Sequence, residues 1–113
     1  MPPEYRWFKP EEVAGLDLEL CAMLDRARGK AGIPFRITSG LRTASENSAL
    51  SESVKDSAHL TGHAVDLLCT ASDYRFKMIT ALLEVGFKRL GIYVADGHIH
   101  ADNSKTLPQN VVW

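Results

Sequence analysis

The sequence predicts an α+β domain: helices packed on a small, mostly antiparallel sheet. Two stretches carry apolar residues at three- and four-residue steps and end in glycine. Between and after them lie short apolar or alternating runs bounded by turn residues. At 113 residues, with no repeat or low-complexity tract, residues 1–113 are read as one domain.

Leu16, Leu20, Leu24, Ala27 and Ala31 form the apolar stripe of a first helix, which Gly32-Ile33-Pro34 terminates. Phe35-Arg36-Ile37-Thr38 alternates and is β-rich, so a strand follows, closed by Ser39-Gly40. Residues 43–58, rich in Ser, Glu, Asn and Asp, read as a long surface loop, and loops of that length are often functional. After Gly62, Ala64-Val65-Asp66-Leu67-Leu68-Cys69 reads as a central strand carrying one anomalous carboxylate.

Ser72 or Asp73 caps a second helix, with Phe76, Ile79, Leu82 and Leu83 as its buried stripe and Gly86 at its end. Two strands, near 89–94 and 98–103, flank the turn dipeptide Asp96-Gly97, and Asn110–Trp113 reads as a last short strand. Trp7 is assigned to the core, while Tyr93 and Trp113 are candidate walls of a groove. Cys21 and Cys69 fall in apolar stretches and are read as buried free thiols.

Composition narrows the partners. A hydrophobic fraction of 45% and a charged fraction of 24% are those of a globular protein, not of a disordered or membrane chain. The net charge is −1 and the basic residues are scattered, so nucleic acid is not an expected partner. No stretch is long enough for a membrane span, and Met1–Phe8 lacks the apolar region of a signal peptide. Cytoplasmic synthesis of a monomer is therefore the expectation.

All four histidines lie between positions 59 and 100. In His98-Ile99-His100-Ala101-Asp102 the polar residues recur with period two, so on a strand His98, His100 and Asp102 share one face. The bland account of that face is solubility. The second cluster, Ser57-Ala58-His59-Leu60-Thr61-Gly62-His63-Ala64-Val65-Asp66, puts a carboxylate in an apolar strand. Unpaired, that carboxylate would cost several kcal/mol of desolvation. A salt bridge to Arg42 or Arg89 would satisfy it. So would a shared metal: a histidine from the turn, Asp66 and a histidine from the later strand form the ligand set of a catalytic zinc with one position open. Strand geometry alone permits either His98 or His100 as the third member.

The pattern Ser57-x-His59-x-x-Gly62-x-Ala64-Val65-Asp66, followed by His98-x-His100, resembles the signature of the zinc D-Ala-D-Ala carboxypeptidases and L-Ala-D-Glu endopeptidases. That group is related in fold to lysostaphin and the hedgehog domain. Thr38-Ser39-Gly40-Leu41-Arg42-Thr43 resembles the family's Ser-Gly-Tyr-Arg-Ser segment, with Leu41 where an aromatic is common, and the likeness runs over roughly residues 8–113.

The resemblance implies a Zn2+ cofactor held by His59, Asp66 and His100, and a substrate in the stem peptide of peptidoglycan. It implies that His98 assists catalysis and that Arg42 holds a substrate carboxylate or carbonyl, a role suited to its bidentate fork. Ser57, hydrogen-bonding locally in the turn before His59, is counted with Arg42 on the substrate side. Many relatives carry an acidic general base three residues before the third ligand; here that residue is Gly97. The base is therefore to be sought among His98, Asp96 and Asp102. His98 is preferred because a histidine titrates near working pH, with Asp102 in support of an imidazole. His63, at a variable position of the pattern, is read as a surface or supporting residue.

With no signal peptide and no wall-binding module, the expectation is a bacteriophage or prophage endolysin that reaches the wall after holin-type release. Cleavage as a carboxypeptidase or as an endopeptidase fits the same zinc site. Gly97 leaves a rival of another class, a non-catalytic zinc-binding interaction domain of the same fold.

Overall fold

A computed structural model describes residues 5–39 and 61–113 of the chain. Among these residues a 3-10 turn, Pro10–Val13, leads into α1, Leu18–Ala31. The strands are β1, Ile37–Ser39, and β2, Ala64–Leu68; then, after α2, Ser72–Glu84, come β3, Arg89–Tyr93, β4, His98–Asp102, and β5, Val111–Val112.

The strands form one sheet in the order β1-β2-β4-β3-β5. The β1–β2, β2–β4 and β3–β4 pairs are antiparallel. Only β5 runs parallel, to β3, so the sheet is mixed with an antiparallel majority. The expected α+β architecture is the one observed. The first strand, however, lies at Ile37–Ser39 rather than starting at Phe35, because Phe35 is buried in the hydrophobic core ahead of the sheet.

α1 begins where Asp17 accepts a hydrogen bond from the Leu20 N–H and ends where Gly32 takes the left-handed conformation, φ 67°. The expected cap of α2 is not made: the N-cap position is Ala71, and no side chain caps that end. The expected stripe of α2 holds in part: Leu82 is buried and Ile79 packs against the core, but its other two members face outward. Met78, Ala81 and Leu82 are buried, whereas Phe76 is 73% exposed and Leu83 is 49% exposed. Trp7 likewise stands outside the core, at 45% exposure. Its backbone N–H donates to Asp25.

The core lies between the helices and one sheet face. Val65 and Leu67 of β2, Leu90 of β3, and Ile99 and Ala101 of β4 are buried with Leu20, Leu24, Met78 and Leu82 of the helices. Strand alternation sends every second residue to the opposite face. Cys21 and Cys69 are buried free thiols, and burial pushes both above the ordinary thiol range. Among the described residues no helix is long and apolar enough to cross a membrane.

Candidate active site on the second sheet face

Pairing register sets the site out as three rows across β2, β4 and β3. Ala64, Asp102 and Arg89 form the first, Asp66, His100 and Gly91 the second, and Leu68, His98 and Tyr93 the third. Five of these nine residues are the titratable groups singled out from the sequence pattern or its salt-bridge alternative: Asp66, His98, His100, Asp102 and Arg89.

His100 occupies the middle of the nine. Its Nδ1 lies 3.2 Å from Asp66 Oδ1, and its Nε2 lies 2.7 Å from Asp102 Oδ2. His98 Nε2 is 3.9 Å from the same Asp66 oxygen. The Asp66 carboxylate thus draws both imidazoles of β4 to one point.

Asp102 is the most deeply buried charged group of this face, 1% exposed. Its Oδ1 accepts from Arg89 Nε at 2.8 Å and from the Ser104 N–H at 3.1 Å, while Oδ2 faces His100. A carboxylate this buried is tolerable because donors surround it. Arg89 also donates to the Pro108 carbonyl and stacks over Trp113, 5.1 Å from the ring centroid. Of the two arginines weighed as partners of Asp66, Arg89 pairs with Asp102 instead, and Arg42 lies outside the described residues.

Burial by itself would lower the His100 pKa. The hydrogen bonds to Asp102 and then Asp66 outweigh it and hold the ring above its ordinary value. Asp102, whose Oδ1 already accepts from Arg89, takes the His100 Nε2–H on Oδ2. In the neutral ring Nδ1 is then an electron-pair donor turned towards a second carboxylate. Such an arrangement is satisfied by a cation between the two: a proton or a metal.

Asp66 proves less buried than an apolar strand suggested. Leu68, next on the same face of β2, is exposed, and Asp66 itself is half-buried. Its desolvation is therefore milder than that of Asp102. Asp96 is exposed in the β3–β4 turn, which Gly97 closes at φ 70° with its N–H donating to the Val94 carbonyl. His63 sits at the entry to β2, with Nδ1 2.8 Å from the Thr61 hydroxyl and Nε2 3.7 Å from Asp17. Gly62, at φ 75°, needs its left-handed backbone, and a Cβ there would stand 2.6 Å from the Gly15 carbonyl. Arg42, Ser57 and His59 lie outside the described residues. Among the described residues no three His, Cys, Asp or Glu side chains make up a metal cage.

Tyr93 stacks on His98 with centroids 4.7 Å apart and planes 19° apart. Sequence reasoning weighed Arg89 only as a partner of Asp66 and missed its pairing with Asp102. The signal was available: the hairpin through Asp96-Gly97 fixes a register in which the first residue of β3 meets the last of β4, Arg89 against Asp102.

The fold, with a histidine–carboxylate cluster on the sheet face away from its core, points to a hydrolase, and comparison with known proteins makes the class definite. The profile of the family described as Peptidase M15 matches residues 7–102. The chain belongs to the peptidase M15 family. Among solved structures, that of the Serratia marcescens L-Ala D-Glu endopeptidase ChiX is similar, with a TM-score of 0.63 and 23% identity over 82% of this chain and 84% of that chain. At that identity the likeness establishes the fold. Comparison with curated proteins gives no match.

Proposed function

We propose that this peptidase is zinc-dependent and hydrolyses the stem peptide of bacterial peptidoglycan, as a D-Ala-D-Ala carboxypeptidase or an L-Ala-D-Glu endopeptidase. The observation that carries the reading is the convergence of His100 Nδ1 and His98 Nε2 on Asp66 Oδ1. The similarity to ChiX, an L-Ala D-Glu endopeptidase, supports the choice of substrate.

Asp66 and His100 supply two ligands of the kinds a catalytic zinc takes, and His59 is the third in this proposal. Zinc held there supplies Lewis-acid polarisation of the scissile carbonyl and a water acidified to near neutrality. His98 takes the proton of the attacking water at its ring nitrogen and returns it to the leaving amine. Its place on the same face as His100, with Nε2 turned to Asp66, supports that role. Asp102 holds the His100 ring by Nε2 and contributes no proton step, its carboxylate being committed to Arg89, Ser104 and His100. Asp96, exposed in the turn, is the weaker alternative base. Arg42, beside Ser57 on the substrate side, binds a substrate carboxylate or carbonyl. Action on the cell wall as a phage endolysin, released through a holin-type pore, completes the proposal.

Gly97 favours one rival: a zinc-binding interaction domain that lacks turnover. Digestion of purified peptidoglycan by the zinc-loaded protein, followed by mass analysis of the fragments, separates the readings. Free D-alanine identifies a carboxypeptidase and a new N-terminal D-glutamate an endopeptidase. An undigested sacculus identifies the interaction domain.

A further inference from the structure

Each of the two β4 histidines has a support on β3, and the two supports meet on one side chain. His100 is held through Asp102 and Arg89, and His98 through the stacked ring of Tyr93. Trp113, following β5, touches both. Its indole N–H donates to the Tyr93 hydroxyl at 2.6 Å, its ring lies under the Arg89 guanidinium, and its centroid is 5.4 Å from that of His100.

The backbone fixes this placement. The Trp113 N–H donates to the Leu90 carbonyl at 3.0 Å, and its carbonyl accepts from the Ile92 N–H at 2.7 Å, so residue 113 brackets Gly91. Gly91 leaves the room the indole fills, since a Cβ there would stand 2.7 Å from Trp113 Nε1 and Cε2 and from Tyr93 Cε2. A ring placed only to cover the core would not be 45% exposed over a row of polar residues.

We propose that Trp113 is a positioning residue for both histidines: its ring face steadies the Arg89–Asp102 support of His100, and its N–H steadies the Tyr93 support of His98. The proposal rests on the zinc-peptidase reading for the division of effects between metal binding and turnover.

The two arms can be separated by substitution. Trp113→Phe keeps an aromatic face under Arg89 but loses the donor to Tyr93, so it acts on His98 alone. Turnover of peptidoglycan fragments falls several-fold while zinc affinity stays within about two-fold. Arg89→Met removes the grip on Asp102 and lowers zinc affinity by roughly 10- to 100-fold, the range for losing a partner of a metal-bound histidine. At saturating zinc it retains most of its turnover. Trp113→Ala shows both losses.

Zinc affinity is read by competition with a chromogenic chelator, and the ring resonances of His98 and His100 by NMR of the metal-free protein. A folded Trp113→Ala with both ring environments, zinc affinity and turnover unchanged overturns the proposal. So does a Trp113→Phe that loses zinc affinity as much as turnover, which is the mark of a general structural role. Should Trp113→Ala not fold, the contrast between Trp113→Phe and Arg89→Met decides. If the wild type takes up no zinc, the zinc-peptidase reading fails. The metal-free resonances still judge Trp113: a shift of both rings in Trp113→Ala upholds the positioning role, and no shift of either ends it.

Discussion

The two faces of the central sheet are built from the same three strands and have opposite chemistry. On one, Val65, Leu67, Leu90, Ile99 and Ala101 are buried against the helices. On the other, residues one position away, among them Asp66, Arg89, His98, His100 and Asp102, form a connected polar network. The apolar face gains its stability from area removed from water and tolerates volume-conserving change. The polar face depends on each partner being present, because a buried charge that loses its partner keeps its desolvation penalty.

Breaking the polar face should have the largest effect. Asp66→Ala removes the carboxylate that faces both histidines, and zinc binding and turnover are expected to be lost together while the far-ultraviolet circular dichroism stays native. Breaking the apolar face should do the reverse. Leu67→Ala, one position along β2, is expected to cost about 2–5 kcal/mol of stability by denaturant titration. The folded fraction should keep the wild-type zinc affinity.

A subtler perturbation is pH. The His100 pKa is raised in the folded, metal-free protein, so its contribution to stability is fully present below the unfolded value of about 6.5 and is lost as pH rises through the folded value. On the proposed function, zinc bound at His100 would displace that proton. Zinc affinity should therefore begin to weaken at a pH above 6.5 as acid is added, with proton release visible by calorimetry in two buffers. An affinity flat from pH 8 to 6 would show that no such proton is displaced.

The smallest effect is expected away from both faces. Asp17 caps α1 and accepts from the Asn103 amide at 3.0 Å. Burial would raise its pKa, but the bonds from Asn103 and the Leu20 N–H hold it below the ordinary value. Its stabilisation is therefore present above about pH 4 and fades as pH falls through that lowered value. Asp17→Ala should cost about 1 kcal/mol by thermal melting and leave catalysis intact.

How much of this could be read in advance differs between the faces. Period two in His98–Asp102 placed three polar side chains together, and Asp66 stood out against its apolar neighbours, because strand alternation is a local property. The Arg89–Asp102 pair required the register between two strands, which is set by the turn and by tertiary packing. Asp102 therefore proved the most buried carboxylate of the face, and Asp66 a half-buried one. The buried face of α2 was legible only at Ile79 and Leu82, for a related reason. Phe76 and Leu83 are more conspicuously apolar than Met78 and Ala81, yet the face a helix buries is chosen by the sheet and by α1. Trp7 was assigned inside on hydrophobicity alone, although an indole can remain half-exposed at little cost. The roles of Arg42, Ser57 and His59 rest on the sequence pattern alone.

The central claim is that two histidines two residues apart on one strand do different work, His100 binding the metal and His98 moving the proton. Zinc stoichiometry of the two single variants, by elemental analysis after gel filtration, tests it most directly. His98→Ala should retain one zinc per chain while losing turnover, and His100→Ala should retain none. The reverse pattern, zinc kept without His100 and lost without His98, would contradict the assignment.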